Sequence, residues 1–437
     1  MVRARKNETP LTVVQMNEQL GFVSAGAATY SNVDDFIPTQ IPGLDKVLGG
    51  GIPMKRMTEI FAPEQTGKST LAIDILKKLG WYKTKDGKEV IRYIIDTEGT
   101  SDRERMQQLG VDMKNTFVFQ PKASDDMTVE DVQETLEKII DLLENNPEMK
   151  DRPVVVIWDS IGGTLSRGEL EHEAQDDKFK IGMRATAVTH LVNKIGNLIK
   201  RVNLSLIVMN QVRKNINGYT EFSRPGGEAF NHFASLRLSL TKGAQITKGA
   251  NKEYIGHALN IKTDKNKQAK PKQKYPAVLL SAYVMETINA KDKSGKLIRD
   301  DTNNPIIEKE YIADGIDFEY NLVNNAKVNG VMKATGAYLS YPVNGEDTKA
   351  YFDDWVLTLK HPGNEELKKQ LFQDVLYKEF PYKYPPLDNK TIDVTKFPEM
   401  TGVKQHYEKI AKEAAAATKA NPKAITPKKT KVAPKAK

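Results

Sequence analysis

The period of apolar positions changes several times along the chain, and each change predicts an element. Residues 56–62 read as a buried strand. Directly after them, Leu71, Ala72, Ile75, Leu76 and Leu79 recur at helical spacing, with Gly80 as a helix stop. Ile91–Ile95 predicts another strand. Val132, Leu136, Ile139, Ile140 and Leu143 mark an amphipathic helix. Val154–Trp158 is a further strand, residues 184–202 a helix, and Leu204–Met209 a strand again. Strands alternating with helices predict an α/β fold with a mostly parallel central sheet covered on both faces. From Thr241 to Lys274 the chain turns polar and lysine-rich. Beyond Tyr275 the patterns are shorter and mixed, with aromatics at Phe352, Trp355, Phe372, Tyr377, Phe380, Tyr382 and Tyr384, and predict a smaller α+β domain.

The segment between the first strand and its helix carries chemistry. It holds Ala62, Pro63, Glu64, Gln65, Thr66, Gly67, Lys68, Ser69 and Thr70, the pattern of a phosphate-binding loop. In such a loop backbone N–H groups wrap a nucleotide's phosphates, the lysine reaches the terminal phosphates and the serine hydroxyl ligates Mg²⁺. Ala62 stands where the first glycine is usual. The other strands end in Asp96-Thr97-Glu98, Asp159-Ser160 and Asn210-Gln211. Ligands of open α/β sheets bind outside the carboxyl ends of the strands, so these polar groups converge on the loop. Hydrolysis of a nucleoside triphosphate needs a bound Mg²⁺ and a positioned water. Ser69 and Asp159 are the candidate metal ligands, Glu98 the carboxylate that orients the water, and Gln211 a neutral sensor of the terminal phosphate.

Residues 212–227 follow Gln211 without apolar periodicity. They mix Arg213, Lys214 and Arg224 with Tyr219 and Phe222 and end in Gly226-Gly227. Cations meet phosphates and aromatics stack on bases, which suits single-stranded nucleic acid; an ordinary surface loop is the alternative.

Composition narrows the class. The chain has 437 residues, enough for two or three domains, and no Cys, which excludes disulfides and thiolate metal sites. No apolar run is long enough for a membrane span, and no apolar segment follows the basic start, so a soluble protein without a secretory signal is expected. The net charge of +8 is uneven. After Glu413 the chain carries Lys419, Lys423, Lys428, Lys429, Lys431, Lys435 and Lys437 and no acid, which predicts a disordered basic tail. That tail either touches nucleic acid or only aids solubility.

Taken in order, residues 44–53, Ala62–Ser69, Asp96-Thr97-Glu98, Asp159-Ser160, residues 210–213, Gly226-Gly227 and residues 234–238 resemble a RecA-type DNA strand-exchange recombinase. The resemblance covers about residues 40–285. It implies a RecA-like P-loop ATPase core at 39–285 with an N-terminal oligomerisation leader at 1–38; the residue patterns beyond it predict the small α+β domain at 286–415 and the tail at 416–437. It implies ATP and Mg²⁺ as cofactors and ATP held between protomers of a helical filament. Lys68, Glu98 and Gln211 would be catalytic, and Lys265 and Lys267 would reach ATP on the neighbouring subunit. DNA would lie against two loops, near 168–182 with Lys178 and Lys180, and near 212–227. Phe22 and Ala25 match an element that docks on the next subunit, although a local contact is equally open. The position that stacks on adenine is Arg105 here, whose guanidinium either lies on the base or points to water. Single- and double-stranded DNA, further copies of the chain, and single-strand-binding and mediator proteins are the implied partners, with no membrane. The divergence from cellular members suggests a bacteriophage version working in the host cytoplasm. A RecA-fold replicative helicase and a non-catalytic recombinase paralogue are the alternatives.

Overall fold

The structure is a computed structural model. It describes residues 41–80, 88–99, 103–119, 127–149, 151–171, 177–214, 229–248, 253–281 and 315–379, the short pieces 36–37, 222–223, 284–289 and 307–312, and the single positions 12, 20 and 39. Contacts divide the chain into residues 1–34, of which only 12 and 20 are described, and residues 35–437. Phe22, Ala25, Tyr219, Arg224, Gly226, Gly227 and the basic tail lie outside the described residues.

The core is an 8-stranded sheet. Its strands are β1 (Met57–Ala62), β2 (Ile91–Asp96), β3 (Thr116–Phe119), β4 (Val154–Asp159), β5 (Leu204–Gln211), β6 (Leu236–Lys248), β7 (Glu253–Asn266) and β8 (Lys274–Ser281). They lie in the order β8-β7-β6-β1-β5-β4-β2-β3. Every pairing from β6 to β3 is parallel; β7 and β8 extend the sheet antiparallel.

Alternation builds the two layers. On β4, Val155 and Ile157 point into one apolar cluster and Val154, Val156 and Trp158 into the other. Helix α1 (Lys68–Leu79) packs Leu71, Ile75, Leu76 and Leu79 onto the first face. Helices α2 (Val129–Asn145) and α3 (Asp177–Leu198) cover the second. Helix α2 begins with a reciprocal cap: Asp131 N–H donates to Thr128 Oγ1 at 3.2 Å and Thr128 N–H to Asp131 Oδ2 at 2.9 Å.

Gly80 stops α1 as expected, as its C-cap at φ −62°. Glycine is needed there for space, because a Cβ would sit 2.9 Å from Arg92 Nη1. The helix expected at 184–202 runs from Asp177 to Leu198, and Ile199 and Val202 stay buried without being helical. The lysine-rich stretch 241–274 contains most of the β6–β7 hairpin. Polar side chains alternate through it because this end of the sheet is only partly covered.

Residues 315–379 form a separate cluster of three helices, Phe318–Val328, Phe352–Lys360 and Glu365–Glu379, on a three-stranded antiparallel sheet, packed around Trp355. Asn325 joins it to the core: its Oδ1 accepts from Gly43 N–H at 3.1 Å and its Nδ2 donates to the Tyr275 hydroxyl at 2.7 Å.

Candidate active site

The phosphate loop lies between the end of β1 and the start of α1. Ala62 is the last residue of β1, buried and still extended, so it needs no glycine. The turn is made further on, at Gln65 (φ 54°) and Gly67 (φ 107°). Gly67 is the N-cap of α1 and no side chain caps that end. The start of the helix, with its dipole, suits a negatively charged ligand. Lys68 is buried, with Nζ 3.4 Å from both the Ala62 and Pro63 carbonyls. Burial pulls its pKa down, opposed by the Asp159, Glu98 and Glu64 carboxylates. These features suit a polyphosphate. Pro63, Glu64, Gln65, Thr66 and Thr70 fall on the same loop and first turn as expected.

The ends of β2, β4 and β5 meet beside this loop. Ser69 Oγ donates to Asp159 Oδ2 at 3.2 Å, which sets the two candidate metal ligands side by side. Burial, then the Glu98 charge, pushes the Asp159 carboxyl up to about 6; Ser69 and Lys68 oppose the shift. Glu98 Oε1 accepts from Gln211 Nε2 at 3.1 Å and from the Ser160 hydroxyl in a very short bond. The carboxylate is otherwise exposed, with Gly163 leaving room: a Cβ there would lie 2.6 Å from Glu98 Cγ. Thr97 binds the strand ends together, its Oγ1 donating to Ser160 O at 3.0 Å and accepting from Ser160 N–H at 3.1 Å. The arrangement can hold a cation beside a phosphate chain and present one oriented carboxylate.

Not every expected group reaches this edge. Asn210 turns the other way, its Nδ2 donating to Glu59 Oε1 at 2.9 Å inside the core. Arg237 Nε donates to Glu59 Oε2 at 2.6 Å, and its guanidinium lies 5.3 Å from the Phe61 ring centre and binds Asn231 Oδ1 in a very short bond. Lys265 Nζ is tied to its own protomer, donating to the Asn231 carbonyl and, at 3.0 Å, to the His232 carbonyl. Burial lowers its pKa to about 8, with Lys267 and Arg237 adding to the effect. Lys267 is exposed.

The DNA-loop candidates are described in part. Residues 167–171 are helical and the backbone at Lys178 and Lys180 lies within α3, which leaves 172–176 outside the described residues. Glu169, within the expected 168–182 loop, is buried, accepts from Ser166 N–H at 2.7 Å and pairs with Arg184 at 2.9 Å. Arg184 Nη1 also donates to the Gly162 carbonyl at 3.1 Å, joining this segment to the turn beneath Gln211. Arg213-Lys214 pairs with Phe222-Ser223 as a short hairpin at the root of the second loop. Arg105 lies on the short helix Arg103–Gln108.

The sequence reading assigned no role to Ser160, Gly163, Arg184 or the Glu59–Arg237 pair. Ser160, next to Asp159, and the Gly162-Gly163 pair were the available signals. Nothing local marks Glu59 and Arg237, which are 178 positions apart.

Comparison with known proteins agrees with this geometry. The RecA N-terminal domain family matches residues 12–283. The chain is 30% identical over 311 residues to the protein RecA of Thermus aquaticus, covering 70% of this chain and 76% of that protein. It is 31% identical over 242 residues to the protein RecA of Helicobacter acinonychis, covering 54% and 63%. With the protein RecA of Porphyromonas gingivalis the figures are 32% over 257 residues, 58% and 68%. A phosphate loop on β1, strand-end groups from β2, β4 and β5, and a match over most of the core place this chain in the RecA family of recombinases.

Proposed function

We propose that the protein forms helical filaments on single-stranded DNA and catalyses homologous pairing and strand exchange with a duplex, with DNA-stimulated ATP hydrolysis. The observation that carries this reading is the hydrogen bond from Gln211 to Glu98. It ties the carboxylate best placed to orient water to the residue that opens the 212–227 loop. Loss of the terminal phosphate would thereby be felt at that loop.

The chain's own groups take the following parts. The N–H groups around Gly67 and the Lys68 ammonium hold the phosphates of ATP. Ser69 and Asp159 hold Mg²⁺, which when bound supplies charge that offsets the phosphate oxygens. Glu98 accepts a hydrogen bond from the attacking water, and Ser160 and Gln211 fix its rotamer. Arg105 lies against adenine. Lys265 and Lys267 reach ATP on the next protomer, and for Lys265 that requires leaving the Asn231 and His232 carbonyls. Arg213, Lys214, Tyr219, Phe222, Arg224, Gly226 and Gly227, with Lys178 and Lys180, line the DNA path, and Phe22 and Ala25 dock the leader on the next subunit. The cytoplasm is the expected location, of a host cell if the protein is phage-encoded. No helix among the described residues is long and apolar enough to cross a membrane.

Electron microscopy with ATP, Mg²⁺ and single-stranded DNA, followed by a strand-exchange assay, tests the proposal. Helical filaments and joint molecules are expected. Closed rings that unwind duplex DNA would favour the helicase reading and overturn this one.

A further inference from the structure

His257 lies on β7, outside the strands that carry Glu98, Asp159 and Gln211, and it touches the phosphate loop. Its Nε2 is 3.1 Å from the Thr66 carbonyl oxygen and its Nδ1 is 2.8 Å from the Tyr254 hydroxyl. A carbonyl only accepts, so Nε2 carries the proton. In the neutral ring Nδ1 then accepts from Tyr254, and one tautomer is selected. His257 is buried, and so is Thr66, at 2% exposure. The strand is paired on both sides there, His257 facing Gln245 on β6 and Leu280 on β8.

The peptide that this bond holds joins Thr66 to Gly67. In a trans peptide the carbonyl and the following N–H point in opposite directions. Holding the Thr66 carbonyl toward β7 therefore aims the Gly67 N–H away from it. That plane is easily turned otherwise. It turns about ψ of Thr66 and φ of Gly67, and Gly67, at φ 107°, can adopt either sign of φ at little cost. The Thr66 hydroxyl does not fix it, since it donates to Pro63 O at 2.8 Å instead. A donor on the carbonyl also polarises the peptide and strengthens its N–H as a donor in turn.

We propose that His257, with its tautomer set by Tyr254, is a positioning residue that locks the Thr66–Gly67 peptide so that the Gly67 N–H is presented to the nucleotide's phosphates. The inference rests on the proposed nucleotide site. The bond's effect would be to preorganise the loop.

The test measures the affinity of the full-length protein for a fluorescent ADP analogue with Mg²⁺, and KM and kcat for ATP. It uses the parent, His257→Ala, His257→Gln and Tyr254→Phe. One hydrogen bond that shapes a binding loop is worth about tenfold in affinity, so His257→Ala weakens binding by about that factor, mostly in KM. His257→Gln keeps an N–H donor and recovers most of the loss. Tyr254→Phe, which frees only the tautomer, costs about twofold to threefold on the same scale. In the nucleotide-free parent, ¹⁵N spectra show His257 protonated at Nε2 and bare at Nδ1. Parental affinity in His257→Ala, a glutamine variant as weak as the alanine one, or a proton on Nδ1 each overturns the inference while leaving the nucleotide site standing. A parent that binds no nucleotide overturns the site and the inference together.

Discussion

At the level of single residues, Glu98 and Asp159 differ in environment. Glu98 is exposed and held by Ser160 and Gln211, which suits a group that meets water. Replacing it with Gln leaves the side chain's shape and nucleotide binding intact, and removes the acceptor for the water's proton. Its kcat should fall by on the order of 10²–10⁴-fold with little change in nucleotide affinity, as single-turnover hydrolysis would measure. Asp159 behaves differently, because its carboxyl is raised from 3.8 to about 6 in the folded protein, first by burial. The folded state therefore binds this proton more tightly than the unfolded chain does, and its contribution to stability is lost as pH rises through about 6. In the nucleotide-free protein, Asp159→Asn should raise Tm at pH 8 relative to the parent, with the difference shrinking toward pH 4. An equal difference at both pH values would show that Asp159 is not strained by its charge. Glu98, Asp159 and Gln211 were legible in the sequence because each stands at the polar end of an apolar run. Asn210 shares that signal with its neighbour and turns inward, since adjacent strand residues face opposite ways and only the register against β1 shows where each points.

At the level of elements, the informative feature is the polar seam across β5, β1 and β6. The register puts Arg237 opposite Glu59, and Asn210 opposite Phe61 two residues further along β1. Arg237 and Glu59 are almost fully buried, at 8% and 2% side-chain exposure. Removing one member of such a pair strands the other charge and typically costs about 3–5 kcal/mol, whereas replacing both with apolar groups is near neutral or stabilising. Glu59→Leu should therefore be strongly destabilising in urea, and Glu59→Leu with Arg237→Met much less so. Additive losses would show that the two side chains are not coupled. This seam was invisible in the sequence, because glutamate in an apolar run reads only as an interruption. The β6–β7 hairpin was missed for a related reason. Its lysines and threonines alternate on a partly covered sheet, so composition outweighed the period-two signal.

At the level of the whole molecule, two bodies of charge act at different ranges. The carboxylates of Glu98 and Asp159 are held close to the phosphate loop and act at short range, while the lysines after Glu413 are many and unopposed by acid in the sequence. If those lysines meet DNA, removing residues beyond Thr418 lowers affinity most at low salt and flattens the dependence of log K on log salt. An unchanged slope in a salt titration by fluorescence anisotropy would assign the tail to solubility. The core was largely legible at this scale, since alternating strand and helix signals dictate a covered parallel sheet. The region after 286 was legible only in kind, because its short elements carry little periodicity each.

One strand joins these scales. Strand β7 carries His257 near one end and Lys265 near the other, eight residues on, at most about 26 Å apart at the rise of an extended chain. On the proposed reading the first serves the protomer's own nucleotide and the second its neighbour's. The strand is then a shared ruler between two pockets. An insertion or deletion between positions 257 and 265 cannot spare either one, because it shifts the spacing of one relative to the other. On that reading the length of this segment is fixed by assembly as well as by folding.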